Sequence, residues 1–277
     1  MVSLGAVKIL NGKELSEYIT ERQARQIRTL RQAYHVIPKL AIVQTIDNAV
    51  IDTYVRLKQG YGDDILAEVA VHKIDQADLL STIQALNEDE SVHGIIIQLP
   101  LADTAETDAA VNAVLPEKDV DGLGENATLT PATAMAIDWL VAGYNVELRG
   151  KHITIVGNGR LVGAPLAKLW RTSGLDVTVL DSKTDNFASN IRKAEIIVTA
   201  TGVPGVVTSQ MVQPNAVVVD AGTASENGKL VGDVADDVRE RNDVTITPKK
   251  GGVGPLTVTA LFDNLIQAAR ATVDEKS

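Results

Sequence analysis

The chain has 277 residues, with 26 Lys and Arg against 36 Asp and Glu, and a formal charge of −10 at pH 7. Hydrophobic residues make up 45%, which excludes a disordered chain, and an acidic surface repels phosphate, which argues against a nucleic-acid binder. Cysteine is absent, so a disulfide scaffold, a thiolate zinc site and a cysteine nucleophile are all excluded.

Four His argue against a His-rich metal site, and none is expected. At roughly 150 residues per domain the length suggests two domains. Residues Met1 to Lys8 lack a basic stretch followed by an apolar one, so no signal peptide is expected. No apolar run approaches the ~18 residues that span a bilayer. A cytoplasmic protein without membrane contact is the expectation.

In chain order, a strand-like start leads to an amphipathic helix over Glu14 to Ala33, with Leu15, Ile19, Ile27 and Leu30 on its apolar side. Lys39 to Thr45 reads as a buried strand, and Asp47-Asn48 as a loop or N-cap. Ala49 to Gln59 reads as a helix and Leu66 to His72 as a strand. Asp78 to Asn87 is helical in period, with Asp75 as a candidate N-cap. Val92 to Leu101 contains Ile95-Ile96-Ile97, a β-branched run suited to a strand buried on both faces. Alternating strands and helices imply an α/β fold with parallel pairing.

The alternation restarts at Lys151. Strands are expected at His152 to Val156, Val177 to Leu180, Glu195 to Thr199, Ala216 to Val219 and Thr245 to Thr247. Helices are expected at Ala164 to Thr172 and Thr257 to Thr272, the latter amphipathic and able to pack back on the first domain. The expected fold is two-domain α/β: an N-terminal α/β catalytic domain and a Rossmann-like, parallel-sheet dinucleotide-binding domain.

Between the strand at 152–156 and the next helix lies Gly157-Asn158-Gly159-Arg160-Leu161-Val162-Gly163. A strand, a glycine-rich turn and a helix can seat a pyrophosphate, because the glycines admit its close approach and the helix N-terminus offers N–H donors. The GxGxxxG spacing is one residue longer than the usual fingerprint. A tight strand-to-helix turn without a ligand is the alternative. Asp181, at the end of the second strand, can accept from both ribose hydroxyls of NAD and would repel the 2′-phosphate of NADP. Arg160 and Lys183 stand near it in sequence and could offset a phosphate.

Four further segments stand out in the sequence. Tyr54 and Lys58 share a helix face, and a lysine partly removed from water can transfer protons; an ordinary solvated lysine is the alternative, and the one this segment alone favours. Gln98 follows the triple-Ile strand, at the carboxyl end where α/β ligand sites lie; a Gln satisfied by loop backbone is the alternative. Asp119 and Asp121 flank one residue, so in an extended segment both point the same way, toward a cation or an amidine-like ring edge; a turn built by Asp and Gly is the alternative. Gly251-Gly252-Val253-Gly254-Pro255 reads as a close-approach loop before a helix.

Six segments in order carry a family resemblance: YVRLK at 54–58, QLPL at 98–101, KDVDG at 118–122, VGNGRLVGAP at 156–165, NGKLVGDV at 227–234 and GGVGPLTV at 251–258. Together they resemble the methylenetetrahydrofolate dehydrogenase/methenyltetrahydrofolate cyclohydrolase family. The resemblance implies a folate-binding catalytic domain at 1–124, joined by the C-terminal helix at 256–277, and a Rossmann-type NAD(P)-binding domain at 125–255. It implies oxidation of methylenetetrahydrofolate with NAD(P), then hydrolysis to formyltetrahydrofolate. A divergent paralogue with one activity or another pterin-like substrate is the alternative.

The resemblance also assigns residues. Tyr54 packs on the folate, Lys58 is the acid/base of the hydrolysis, Gln98 tunes it and Asp121 holds the pterin. Ile97, Leu99, Gly251, Gly252, Val253, Gly254 and Pro255 complete the substrate site. Gly157, Asn158, Gly159, Arg160, Gly163, Asp181, Ser182 and Thr223 form the cofactor site. The family implies NADP, whereas Asp181 and the lack of an Arg at 158 favour NAD. A homodimer is implied. Departures from the family pattern include Ile51 for a serine, Gly60 for a second lysine and Asp181 for a histidine.

Overall fold

The computed structural model describes residues 9–226 and 229–274. The strand-like start and the signal-peptide reading at 1–8, Asn227-Gly228 of the fifth motif and the last three residues of the C-terminal helix lie outside them. Contacts divide the chain into two units, Glu17–Ala132 with Val258–Ser277 and Met1–Ser16 with Thr133–Thr257.

The first unit takes most of α1 (Gly12–Tyr34), then β1 (Lys39–Gln44), α2 (Ala49–Ile65), β2 (Glu68–Lys73), α3 (Leu79–Glu88), β3 (Gly94–Ile97) and α4 (Thr107–Ala113). Its three strands are parallel in the order β2-β1-β3. Every residue of β3 is buried, as a β-branched run between helices requires. Ile19, Ile27 and Leu30 give α1 its buried stripe. Gly60 and Gly62 do not stop α2, which runs six residues beyond the expected Gln59. Asp75 caps a short 3-10 turn at Gln76–Asp78 and makes no side-chain cap bond; α3 starts after it.

The second unit contains α5 (Ala132–Gly143), β4 (Ile153–Val156), α6 (Gly163–Thr172), β5 (Val177–Leu180), α7 (Phe187–Lys193), β6 (Ile196–Thr199), β7 (Val217–Asp220), the hairpin β8 (Ala224–Glu226) and β9 (Lys229–Val231), α8 (Asp236–Arg239) and β10 (Thr245–Ile246). Helix α9 (Val253–Asp274) starts in this unit and continues in the first. Five strands pair in parallel in the order β10-β7-β6-β4-β5. The chain moves outward from β4 to β5, then returns past β4 to β6. Strand order reverses there, and in open α/β sheets ligands bind at the carboxyl ends beside such a reversal. Trp170 of α6, 1% exposed, donates to Asp138 of α5 across 2.8 Å.

Helices α4, α7 and α8 have seven, seven and four residues, too few for a helical period to stand out. Helix α5 is missed for another reason: Ala132, Ala134, Ala136, Ile137, Leu140 and Val141 are all buried, so it carries no polar stripe. Among the described residues no helix is long and apolar enough to cross a membrane.

Candidate functional site

Side chains alternate across a strand, and that alternation places Gln98. Ile95 and Ile97 of β3 pack in the core with Leu79 and Ile83 of α3 and Val111 of α4. Gln98 continues the ladder by donating its backbone N–H to the Val43 carbonyl at 2.9 Å. Its side chain is therefore on the opposite side from Ile97, where Lys58 of α2 meets it: Nζ donates to Gln98 Oε1 at 2.7 Å. The Gln98 amide nitrogen donates to the Leu99 carbonyl at 3.2 Å, which fixes which end of the amide faces the lysine. Ile97, by contrast, turns its side chain into the core, away from Lys58.

Burial holds the Lys58 ammonium below the usual lysine range, and the nearby Asp121 carboxylate pulls it partly back. Burial pushes the Asp121 carboxyl up, Lys58 opposes that, and Asp119 adds to it. The low-polarity surroundings thus drive both members of the pair toward their neutral forms. Tyr54, one turn before Lys58, is half-buried, and burial raises its hydroxyl.

The KDVDG segment divides three ways. Lys118 Nζ donates to the carbonyls of Leu86, Asn87 and Asp89 at 3.1, 2.7 and 2.8 Å, and so satisfies the C-terminal end of α3. Asp119 accepts from the N–H groups of Gly122 and Gly124 at 2.9 and 2.8 Å. The segment is a turn, not an extended pair of carboxylates, because Asp119 is committed to its own backbone. Asp121 is the carboxylate that acts on Lys58. Gly122, at φ 69°, leaves no room for a side chain: a Cβ would lie 2.8 Å from the Leu129 carbonyl.

In the second unit each glycine after β4 has its own reason. Gly157 has φ 107°, and a Cβ there would lie 2.5 Å from the Ala200 carbonyl at the end of β6. A Cβ on Gly163 would lie 1.9 Å from the Gly157 carbonyl, so α6 can reach β4 only with glycine. A Cβ on Gly159 meets nothing within 4 Å. The first and third glycines close the turn, and the second keeps its outer face open, as close approach of a pyrophosphate requires. Asn158, Gly159 and Arg160 are exposed at the N-terminus of α6. The residues present therefore fit a dinucleotide.

Asp181 and Ser182 are exposed at the carboxyl end of β5, and Thr223 is exposed after β7. The sheet brings these to the same edge as the glycine turn. One Asp181 oxygen accepts from Lys183 N–H and Thr184 Oγ1, each at 2.9 Å. These bonds, the Lys183 N–H first, hold its carboxyl below the usual range. The GGVGP segment is only partly a loop. Gly251, at φ 82°, and Gly252 form the turn, and α9 begins at Val253, so Gly254 and Pro255 lie in its first turn. Proline fits there, since the first helical N–H groups have no intrahelical acceptor.

Residues 10–121 match the tetrahydrofolate dehydrogenase/cyclohydrolase catalytic domain, and residues 131–273 match the NAD(P)-binding domain of the same family. The chain belongs to the tetrahydrofolate dehydrogenase/cyclohydrolase family. It is 37% identical to the bifunctional protein FolD of Bordetella avium over 96% of this chain and 98% of that one. The structure of bifunctional FolD from Campylobacter jejuni superposes with a TM-score of 0.91, at 32% identity, over 96% of this chain and all of the other. The Trypanosoma brucei methylenetetrahydrofolate dehydrogenase-cyclohydrolase, solved with NADP and an inhibitor, gives 0.90 at 30% identity over 97% and 99%.

Within this family fold, one buried polar cluster is given no role by the sequence reading, although its Asp233 lies in the quoted NGKLVGDV motif. Asp220, at the end of β7, pairs with Arg239 of α8 at 2.5 Å and accepts from Thr199 Oγ1 at 3.1 Å. Asp233, fully buried, accepts from the Thr201 N–H at 2.5 Å. The detectable signal is a Gly within two residues of an Asp, in Gly232-Asp233 and again in Asp220-Ala221-Gly222. A Cβ on Gly232 or Gly222 would fall 2.0 Å from the Asp220 or Asp233 carboxylate. Among the described residues no group of three or more His, Cys, Asp or Glu could hold a metal ion.

Proposed function

We propose that the protein oxidises methylenetetrahydrofolate to methenyltetrahydrofolate with NAD(P) and hydrolyses the product to formyltetrahydrofolate. The observation that carries this reading is the Lys58–Gln98 pair beside Asp121, at the carboxyl end of a buried parallel strand. An amine in those surroundings is neutral more readily than a lysine in water, and neutrality is what a general base requires.

In the hydrolysis, neutral Lys58 takes a proton from water as the water oxygen bonds to the cationic methenyl carbon, giving a hydroxyl adduct. The resulting ammonium returns that proton to the ring nitrogen as its bond to the carbon breaks, and the adduct's hydroxyl proton leaves to solvent as the formyl C=O forms. Gln98 Oε1 holds the amine in position, Asp121 binds the edge of the pterin, and Tyr54 packs on the ring. Leu99 and the segment from Gly251 to Pro255 extend the folate site. Residues 1–124 with 256–277 serve the folate, and residues 125–255 serve the cofactor.

Gly157, Asn158, Gly159, Arg160 and Gly163 hold the pyrophosphate, and Asp181, Ser182 and Thr223 complete the cofactor site. When bound, the nicotinamide supplies hydride acceptance; the chain's part is to position the two rings. Asp181 favours NAD, because a fixed carboxylate beside the ribose repels a 2′-phosphate. We further propose a cytoplasmic homodimer.

The test is a steady-state assay with methylenetetrahydrofolate and NAD or NADP in parallel, following methenyl formation and decay. Turnover with rapid decay and a preference for NAD is expected. A folded protein that turns over with neither cofactor would overturn the reading.

A further inference from the structure

Asp233 is fully buried, and nothing in the proposed chemistry uses it. Its backbone is fixed: its N–H donates to Asp220 Oδ1 at 3.0 Å, and its carbonyl accepts from Val207 N–H at 3.3 Å. Its side chain lies between two turns. Oδ2 accepts from the N–H of Thr201, in the turn after β6. On the other side it lies against Gly222, in the turn after β7, where a Cβ would sit 2.0 Å from Oδ1. Among the described residues Oδ1 has no hydrogen-bond partner. Burial raises this carboxyl most, the Thr201 N–H and hydroxyl lower it, the Asp220 charge raises it, and the Gly202 N–H lowers it.

A buried carboxylate is an expensive way to fill space, since desolvating it costs more than an apolar side chain would, and among the described residues this one is held by donors of the Thr201-Gly202 turn alone. The two turns it joins follow adjacent strands at the carboxyl edge, next to the point where strand order reverses. Gly157 rests on the first of these turns, at Ala200 and Thr201. Asp233 therefore stands behind the surface on which the cofactor reading above places the dinucleotide.

We propose that Asp233 is a positioning residue for the nicotinamide cofactor, setting the spacing of the Thr201 and Gly222 turns before the cofactor arrives. The proposal rests on the cofactor reading of this edge.

The test compares the full-length wild type with Asp233→Ala and Asp233→Asn, measuring the dissociation constants of NAD and NADP and the cofactor-independent hydrolysis of methenyltetrahydrofolate. Asp233→Ala is expected to weaken binding of both cofactors about tenfold, the size of one lost charge-assisted hydrogen bond. Its hydrolysis rate is expected to stay at the wild-type level. Asp233→Asn keeps an acceptor for Thr201 and should restore most of the affinity. Unchanged affinity in both variants, or loss of hydrolysis in parallel with affinity, would overturn the proposal.

Gly159→Val separates the two readings. If it leaves cofactor affinity intact, the cofactor reading fails; if it abolishes binding while Asp233→Ala does not weaken it, only the positioning role fails. Should Asp233→Ala not fold, hydrogen exchange on the cofactor-free wild type decides. Slow exchange at the Thr201 amide supports a preset turn, and exchange at the rate of an open loop overturns it.

Discussion

The two ligand edges solve their problems with different parts of the chain. Beside β3 the proposed work falls to side chains: a lysine, an amide and a carboxylate, held where water is scarce. After β4 it falls to the absence of side chains. Gly157 and Gly163 let two backbones touch, and Gly159 leaves open space outside them. The first edge is sensitive to which group titrates and when. The second is sensitive to volume. Substitutions should therefore separate the two by kind as well as by place.

The largest effect is expected from Lys58→Ala. General acid–base groups contribute about 10²–10⁴-fold, so hydrolysis of methenyltetrahydrofolate should fall by that order with the circular dichroism spectrum unchanged. A hydrolysis rate at the wild-type level would remove Lys58 from its role. Next come the glycines. Gly163→Ala places a methyl group 1.9 Å from a backbone carbonyl that has nowhere to go. Overpacking of that sort costs about 1–3 kcal/mol, so a lower melting temperature and weak cofactor binding are expected together. Gly159→Ala meets nothing in the protein, so it should melt with the wild type and lose affinity alone. If the two alanines behaved alike, the division of labour among the glycines would be wrong.

The same contrast explains what could be read from the sequence. The sheet strands stand out because β-branched runs between helices have few other folds open to them, and Ile95-Ile96-Ile97 is the clearest case. The glycine turn is legible because its spacing encodes a steric demand. The residue pattern alone does not divide Asp119 from Asp121, since alternation along an extended strand points both the same way and only the family resemblance names Asp121. The turn prevails because two backbone N–H groups claim Asp119. The assignment of Ile97 to the substrate is drawn from resemblance alone, and strand alternation turns its side chain into the core. Asp220, Arg239 and Asp233 are hidden for a related reason: ordinary polar residues in sequence, they come together only when β7, α8 and the segment after β9 meet.

A smaller change sharpens the cofactor edge. Asp181→Asn keeps the acceptor for Lys183 N–H and Thr184 Oγ1 and removes only the charge. The ratio of kcat/KM for NADP to that for NAD should rise about tenfold, on the scale of one exposed charge facing a phosphate. An unchanged ratio would show that the carboxylate does not face the ribose.

The smallest effect distinguishes the side-chain edge by pH rather than by rate. With Lys58 as the proposed general base, hydrolysis requires the neutral amine, so its rate is expected to rise with pH as Lys58 loses its proton. Burial lowers that proton's pKa and the Asp121 charge raises it. Asp121→Asn removes the raising influence while keeping a polar group of the same shape. The ammonium becomes easier to deprotonate, and the acid limb of the profile must move to lower pH. The maximal rate can fall as well, because Asp121 is also proposed to bind substrate, but a fall in rate cannot produce the shift. A limb that moved to higher pH would mean that Asp121 in the active protein is neutral and donates to the amine. A limb that stayed in place would mean that the two groups do not sense each other, and the rising rate would then belong to another group. A limb that moved down would identify the titrating group as the one buried beside Gln98, because the charge of Asp121 acts on Lys58 there.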